Sequence, residues 1–162
     1  GALQHLPTRL LRMYVNAYQS YLWNETAGEY LKKEGKAVKE VLYSQGRFIF
    51  AEEDSTRAGL EIPLIGFNDE ELEAIPEIKR IITEMMHREK ISCNDFIIKQ
   101  IPSLTLEGEM RKVFVAVQGL TVEKLERDDL NPGKNKFKIA FTLPKGSYVT
   151  MVIRKIVPEE DI

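Results

Sequence analysis

Cysteine is almost absent: Cys93 stands alone, so no internal disulfide can staple the fold. Histidine is nearly as scarce, with only His5 and His87, and these three scattered residues do not supply a clustered zinc site. With no disulfide to maintain, the compartment reads as reducing and cytoplasmic. No apolar run reaches the roughly 18 to 20 residues that a membrane helix needs, so neither a transmembrane nor a signal segment is expected. The usual enzyme signatures are missing as well. There is no phosphate-binding glycine loop, no paired His and Cys, no HExxH-like helix, and no internal repeat or low-complexity tract.

What remains is the composition of a globular protein, 43% hydrophobic and 30% charged over 162 residues, enough for one domain or one domain plus part of another. The net charge of −2 argues against a protein that coats nucleic acid by bulk electrostatics. Its distribution is uneven. Residues 52–90 hold 11 acidic and 5 basic side chains, whereas residues 131–157 hold Lys134, Lys136, Lys138, Lys145, Arg154 and Lys155 and no acid. The chain opens with Gly1 and Ala2 rather than Met, and upstream sequence is therefore expected.

Thr8 is a candidate N-cap for a long helix in which Leu10, Leu11, Tyr14, Tyr18, Tyr21 and Leu22 recur as an apolar face. Arg12, Asn16, Gln19 and Trp23 gather on the opposite side, as groups that either meet RNA or dock a neighbouring element. Two β-prone runs around Ser44-Gln45-Gly46 predict a hairpin from Val38 to Ala51 with glycine at a positive φ. A loop follows over 52–68, ending in the apolar Ile62-Pro63-Leu64-Ile65-Gly66-Phe67. Ile78, Ile81, Ile82 and Met85 then mark the core stripe of a helix starting near Pro76. Asn94 and Asp95 suggest caps for a short helix over 96–100, and Val113, Val115 and Val117 alternate as in a strand over 111–118. After the Asn131-Pro132-Gly133 turn, Phe137, Ile139, Phe141 and Leu143 give the clearest period-two pattern. Pro144-Lys145-Gly146 ends that strand, and Ser147 is the expected cap of a final helix running to about Ile156, ahead of an acidic tail from Pro158.

This strand, turn and helix form the most informative local feature. Backbone N–H groups at the helix start favour an anion such as phosphate, Lys145 adds charge, and Tyr148 offers a ring to a base. The same residues also fit a plain tight turn, a cap and a packed aromatic. Arg111 and Lys112, after Gly108, form a weaker phosphate-contact candidate.

Two segments resemble a known family. Tyr14 to Asn24, reading YVNAYQSYLWN, is similar to the "AYQSYLFN" helix of TruD-type tRNA pseudouridine synthases, most of all their archaeal and eukaryotic branch. Leu143 to Thr150, reading LPKGSYVT, is similar to the family's "LPxGSYAT" motif, with Arg154 at the matching arginine. Ile62 to Gly66 and Gly108 to Lys112 resemble weaker family blocks. Val149 stands where the family usually has Ala, and Lys155 where it has an acid.

The resemblance implies an α+β fold: a family-specific insertion domain over 1–128 and the C-terminal strand and helix of the pseudouridine synthase catalytic domain over 129–162. It implies isomerisation of a tRNA uridine, typically at position thirteen, with no cofactor and no metal. The implied partners are tRNA and the rest of the catalytic domain upstream of Gly1, with no membrane. Tyr148 is carried over as the aromatic near the target uracil, with Lys145, Ser147 and Arg154 as substrate-binding neighbours. The family's catalytic aspartate lies in a "GxKD" motif followed by "NYFGxQRFG". Neither is present, and none of Asp54, Asp69, Asp95, Asp128, Asp129 or Asp161 has that context. The catalytic acid is therefore expected outside this chain, and the chain alone is expected to be inactive. The rival readings are a non-catalytic RNA-binding module derived from the family and a protein-interaction module working through its acidic stretch.

Overall fold

A computed structural model describes residues 5–52, 59–68 and 75–157. The chain forms two compact units, residues 1–113 and 114–162. The first is built on a 26-residue helix, α1 (Thr8–Lys33). Pro7 rather than Thr8 holds its N-cap position, with no side-chain cap; the Pro7 carbonyl accepts from Leu10 and Leu11 N–H. Proline's fixed φ suits the entry to a helix, so the hydroxyl expected as the cap lies one residue inside.

The faces of α1 are not arranged as the apolar pattern suggests. Leu11, Leu22 and Leu31 are buried, but so are Gln19 and Thr26, while Tyr14 and Tyr18 are exposed. The polar line is the one that docks. Gln19 Nε2 donates to the carbonyls of Ile65 at 2.9 Å and Glu107 at 3.1 Å. Trp23 Nε1 donates to Ile62 O at 2.9 Å, and an Arg12 guanidinium nitrogen donates to Ser103 O at 2.8 Å. Asn16, on the same line, stays exposed. The loops facing α1 bring unpaired backbone carbonyls, which need donors once buried. The helix therefore turns the Gln19 amide and the Trp23 indole inward.

Strands β1 (Ala37–Tyr43) and β2 (Gly46–Ala51) form the expected antiparallel hairpin. Gly46 does not have the positive φ expected of it. Glycine there leaves room instead: an added Cβ would lie 2.6 Å from Glu25 Oε1. Gly28 brings α1 close to β2, since a Cβ on it would stand 3.0 Å from Ile49 Cγ1.

Strand β3 (Glu61–Pro63) pairs antiparallel with β4 (Met110–Lys112), extended by Leu64 N–H to Glu109 O. Beyond the pair the two backbones cross at Gly66 and Gly108, where a Cβ on Gly66 would fall 2.1 Å from Gly108 N. Gln19 donates to both crossing segments, and Asn68 Oδ1 accepts from Gly108 N–H. Helix α2 (Pro76–Glu89) buries Ile78, Ile81, Ile82 and Met85, as the stripe predicts. Its core partners include Leu22, Ala27, Ile62, Ile65 and Phe96. The short helix is a 3₁₀ turn over Cys93–Phe96 rather than 96–100. Ser92 is its cap and Asp95 closes a capping box, so Asp95 acts at the third position and not the first.

Residues 111–118 are not one strand. β4 ends at Lys112, Val113 N–H donates to Leu60 O just beyond it, β5 (Gln118–Val122) starts later, and residues 114–117 between them belong to no strand. Alternation alone does not specify pairing.

The second unit is a long ribbon followed by a helix. β5 pairs with β8 (Ile139–Thr142), and β6 (Glu126–Arg127) pairs with β7 (Asn135–Lys136), closing around the turn at Asn131-Pro132-Gly133. The strand read from Phe137 to Leu143 is thus β8, separated from β7 by 137–138, and its alternation holds: Ile139 and Phe141 are half-buried, Ala140 and Thr142 exposed. The expected domain boundary at 128/129 falls inside this ribbon, between paired β6 and β7, whereas the compact units divide at Val113/Phe114. Helix α3 (Val149–Ile156) closes the unit. No described residue of the second unit is buried. Asp54, Asp69 and Asp161, and the tail from Pro158, lie outside the described residues.

Candidate functional site

The site begins where β8 gives out. Pro144 cannot donate to a ladder, so the strand stops and the chain reverses. The Ser147 N–H returns to Pro144 O at 3.2 Å, and Gly146, third in this turn, has φ +89. That conformation favours glycine, and an added Cβ would meet nothing within 4 Å, so backbone strain alone selects the residue. Lys145 is left exposed at the second position of the turn.

Ser147 is not the cap of α3. Tyr148, in extended conformation, occupies the N-cap position and Val149 is the first helical residue, with no side-chain cap. The serine amide is committed to the turn, which places its hydroxyl one residue too early. Tyr148 is 63% exposed, so its ring is presented rather than packed. Lys145, Ser147 and Tyr148 therefore lie together within four residues. Arg154 is not among them. It sits half-buried in the last turn of α3, about 9 Å further along the axis by helix geometry. Lys155, beside it, is exposed.

The ribbon lysines are less available than their sequence suggests. Lys136 Nζ pairs with Asp129, and Lys138 Nζ lies 3.4 Å from Glu123 Oε2. These acids precede 131 in sequence, and folding of the ribbon brings them opposite the lysines. The turn at Asn131-Pro132-Gly133, read as the centre of a hairpin, is the signal that would have revealed the pairing.

The described aspartates have structural partners. Asp95 accepts from Ser92 N–H and Oγ, and these bonds hold its carboxyl below the usual range. Asp128 accepts from the Asn131 amide and from the N–H groups of Leu130 and Asn131, and is lowered by them. Asp129 is lowered chiefly by Lys136. Among the described residues no three His, Cys, Asp or Glu side chains gather as a metal site. In the acidic middle, Glu77 and Glu84 pair with Lys33 and Arg80. Arg111 lies over the Trp23 ring at 5.1 Å, in the first unit. Among the described residues no helix is long and apolar enough to cross a membrane.

Known proteins are similar to this chain over most of its length. The family described as tRNA pseudouridine synthase D (TruD) matches residues 1–156. A Methanosarcina acetivorans protein named as a tRNA pseudouridine synthase D is 31% identical over 96% of this chain and 39% of its own length. A Methanopyrus kandleri protein of the same name is 32% identical over 100% of this chain and 36% of its own. A crystal structure described as a TruD protein from Methanosarcina mazei superposes with a TM-score of 0.62 at 26% identity, covering 96% of this chain and 40% of that one. The chain thus spans about two fifths of the length of the curated relatives it matches. A mixed α+β chain with YVNAYQSYLWN on its first helix and LPKGSYVT at its last turn, matched by the family from residue 1 to residue 156, belongs to the TruD family of tRNA pseudouridine synthases.

Proposed function

We propose that this chain is part of an enzyme that isomerises a tRNA uridine to pseudouridine, position thirteen being the expected target. In this reading the turn and helix over 143–156 form one wall of the uridine site, and the catalytic aspartate comes from outside these 162 residues. The observation that carries the reading is the surface of the second unit. Leu120, Val122, Leu125 and Phe137 stand exposed there, and a two-stranded ribbon is marginal alone in water. Such a unit is completed when further strands and helices cover its apolar side, as the rest of a catalytic domain would. The insertion portion then ends at Val113 and the catalytic portion begins at Phe114, where the compact units divide.

The chemistry is an isomerisation. The N1–C1′ bond of the uridine breaks, a C5–C1′ bond forms, the C5 proton leaves to solvent and N1 takes one up. The uridine first leaves its stack, at a cost of about a few kcal/mol. The exposed Tyr148 ring offsets part of that by stacking on the extruded uracil. Lys145 and Ser147, beside it in the turn, bind a flanking phosphate, and Arg154 offers a second cation two turns on. The aspartates described here are tied into turns and ion pairs, which is consistent with a nucleophile elsewhere.

Tritium release from tRNA labelled at uracil C5 tests the proposal. A polypeptide joining these residues to the family's aspartate-bearing portion is expected to release tritium, and the 162-residue chain alone to release none. Full turnover by the chain alone, or none by the joined polypeptide, contradicts it.

A further inference from the structure

Two residues of the α1 face that sequence pattern assigns to the core, Tyr14 and Tyr18, are left facing solvent, while Leu11 and Leu22 of that face are buried. Met13 is 55% exposed, Tyr14 56% and Tyr18 38%, and Arg9, Asn16 and Ala17 are exposed with them. At 100° per residue Arg9, Met13, Ala17, Tyr14 and Tyr18 spread in that order over one half of the helix, with Tyr18 at its edge beside the docked Leu22, and Gln19 in the middle of the other half. The two tyrosines stand one turn apart, about 6 Å along the axis. Tyr18 is held in place: its ring stacks on Tyr21 with centroids 6.1 Å apart, and its hydroxyl donates to Glu89 Oε2 at 3.4 Å.

Charge identifies the occupant. Residues 5–24 contain His5, Arg9 and Arg12 and no acid, in a chain with 25 acidic side chains. The exposed apolar surface of the second unit's ribbon is mainly aliphatic, with Leu120, Val122, Leu125 and Leu130 beside Phe137, the composition of an unfinished protein core. On α1 the exposed groups are instead tyrosine rings, a guanidinium and an amide, which stack on bases, neutralise phosphate and read base edges. From this contrast we infer that the exposed half of α1, which bears Arg9, Tyr14 and Tyr18, is a second RNA-contact surface that binds unpaired nucleotides of the tRNA through residues other than those of the turn and helix over 143–156. The inference rests on the reading of tRNA as the substrate.

Its test is the affinity of the 162-residue chain for a fluorescently labelled tRNA transcript across a salt series. Tyr14→Ala is expected to weaken binding about fivefold or more and Tyr14→Phe much less. Arg9→Glu is expected to reduce the salt slope by about one. Melting temperatures should not move, because neither side chain is buried. Unchanged affinity and slope in both variants, as a protein-docking face would give, overturns the proposal, as does an early-melting Tyr14→Ala, which would show a packed ring. If Lys145→Glu weakens tRNA binding while the α1 variants do not, the α1 surface falls and the tRNA reading stands. Absence of binding by the unmodified chain at low salt removes both.

Discussion

Replacing Gln19 by leucine isolates the clamp that joins α1 to the Gly66–Gly108 crossing. The side chain is 7% exposed and its amide nitrogen donates to Ile65 O at 2.9 Å and Glu107 O at 3.1 Å. Leucine keeps most of the volume and removes both donors. The Ile65 carbonyl, on a fully buried residue, then loses a partner that water does not replace, at about 1–3 kcal/mol. Glu107 lies at the surface, where water partly substitutes, so its carbonyl adds about 0.5–1 kcal/mol. The sum, about 1.5–4 kcal/mol, corresponds to a fall in melting temperature of roughly 5–15 °C for a unit of this size. Gln19→Glu is expected to do worse at neutral pH, setting a carboxylate against two carbonyl oxygens, and to recover partly in acid as the carboxyl gains a proton to donate. Thermal melts of the three proteins by circular dichroism at pH 7 and pH 4 make the comparison. A Gln19→Leu variant melting within about 2 °C of the parent would refute the claim that the polar face of α1 is what fixes it to the crossing.

Three further outcomes are expected. Gly66→Ala drives a Cβ to 2.1 Å from a backbone nitrogen, so urea titration should show a loss of about 3 kcal/mol or failure to fold, whereas Gly28→Ala, meeting only Ile49 Cγ1 at 3.0 Å, should stay within about 1 kcal/mol. Burial first, then the negative Glu25 beside it, pushes the Tyr43 hydroxyl up to about 12. With the folded value raised above the unfolded 10.0, its contribution is intact below pH 10 and is lost between pH 10 and about 12, so Tyr43→Phe should flatten the alkaline fall in stability measured over that window. Because Lys136 and Lys138 already pair with Asp129 and Glu123, Lys145→Glu should lower the salt slope of tRNA binding more than reversal of either ribbon lysine, as anisotropy titrations would show.

How legible the fold was depended on what each pattern encodes. α2 was readable because Ile78, Ile81, Ile82 and Met85 are aliphatic and have no alternative to burial. On α1 the same spacing misled, because tyrosine tolerates water and Gln19 and Trp23 answer carbonyls supplied by loops some forty to ninety residues away, which local periodicity does not contain. The hairpin over 37–51 was visible, but the reason for Gly46 was not, since it lies in the approach of Glu25 from α1. Of the alternating valines, Val113 extends the β3–β4 pair by one bond to Leu60 O while Val115 and Val117 lie outside any strand, whereas β8 pairs with β5. At the candidate site, Gly146 and its turn followed from residue type, and Tyr148 stands exposed after it. Its place at the cap, ahead of the first helical residue, depended on how the turn consumed Ser147.

Whether the Tyr148 turn forms part of a uridine site is tested most directly by single-turnover tritium release from the aspartate-bearing polypeptide, read beside a melting curve. If the exposed ring stacks on the extruded uracil, Tyr148→Ala should lose about 1–3 kcal/mol, roughly 5- to 150-fold in rate or substrate affinity, with no change in melting temperature. Tyr148→Phe, which keeps the ring, should lose much less. An alanine variant with the parent's stability and the parent's rate would take Tyr148 out of the site and the assignment of the turn with it.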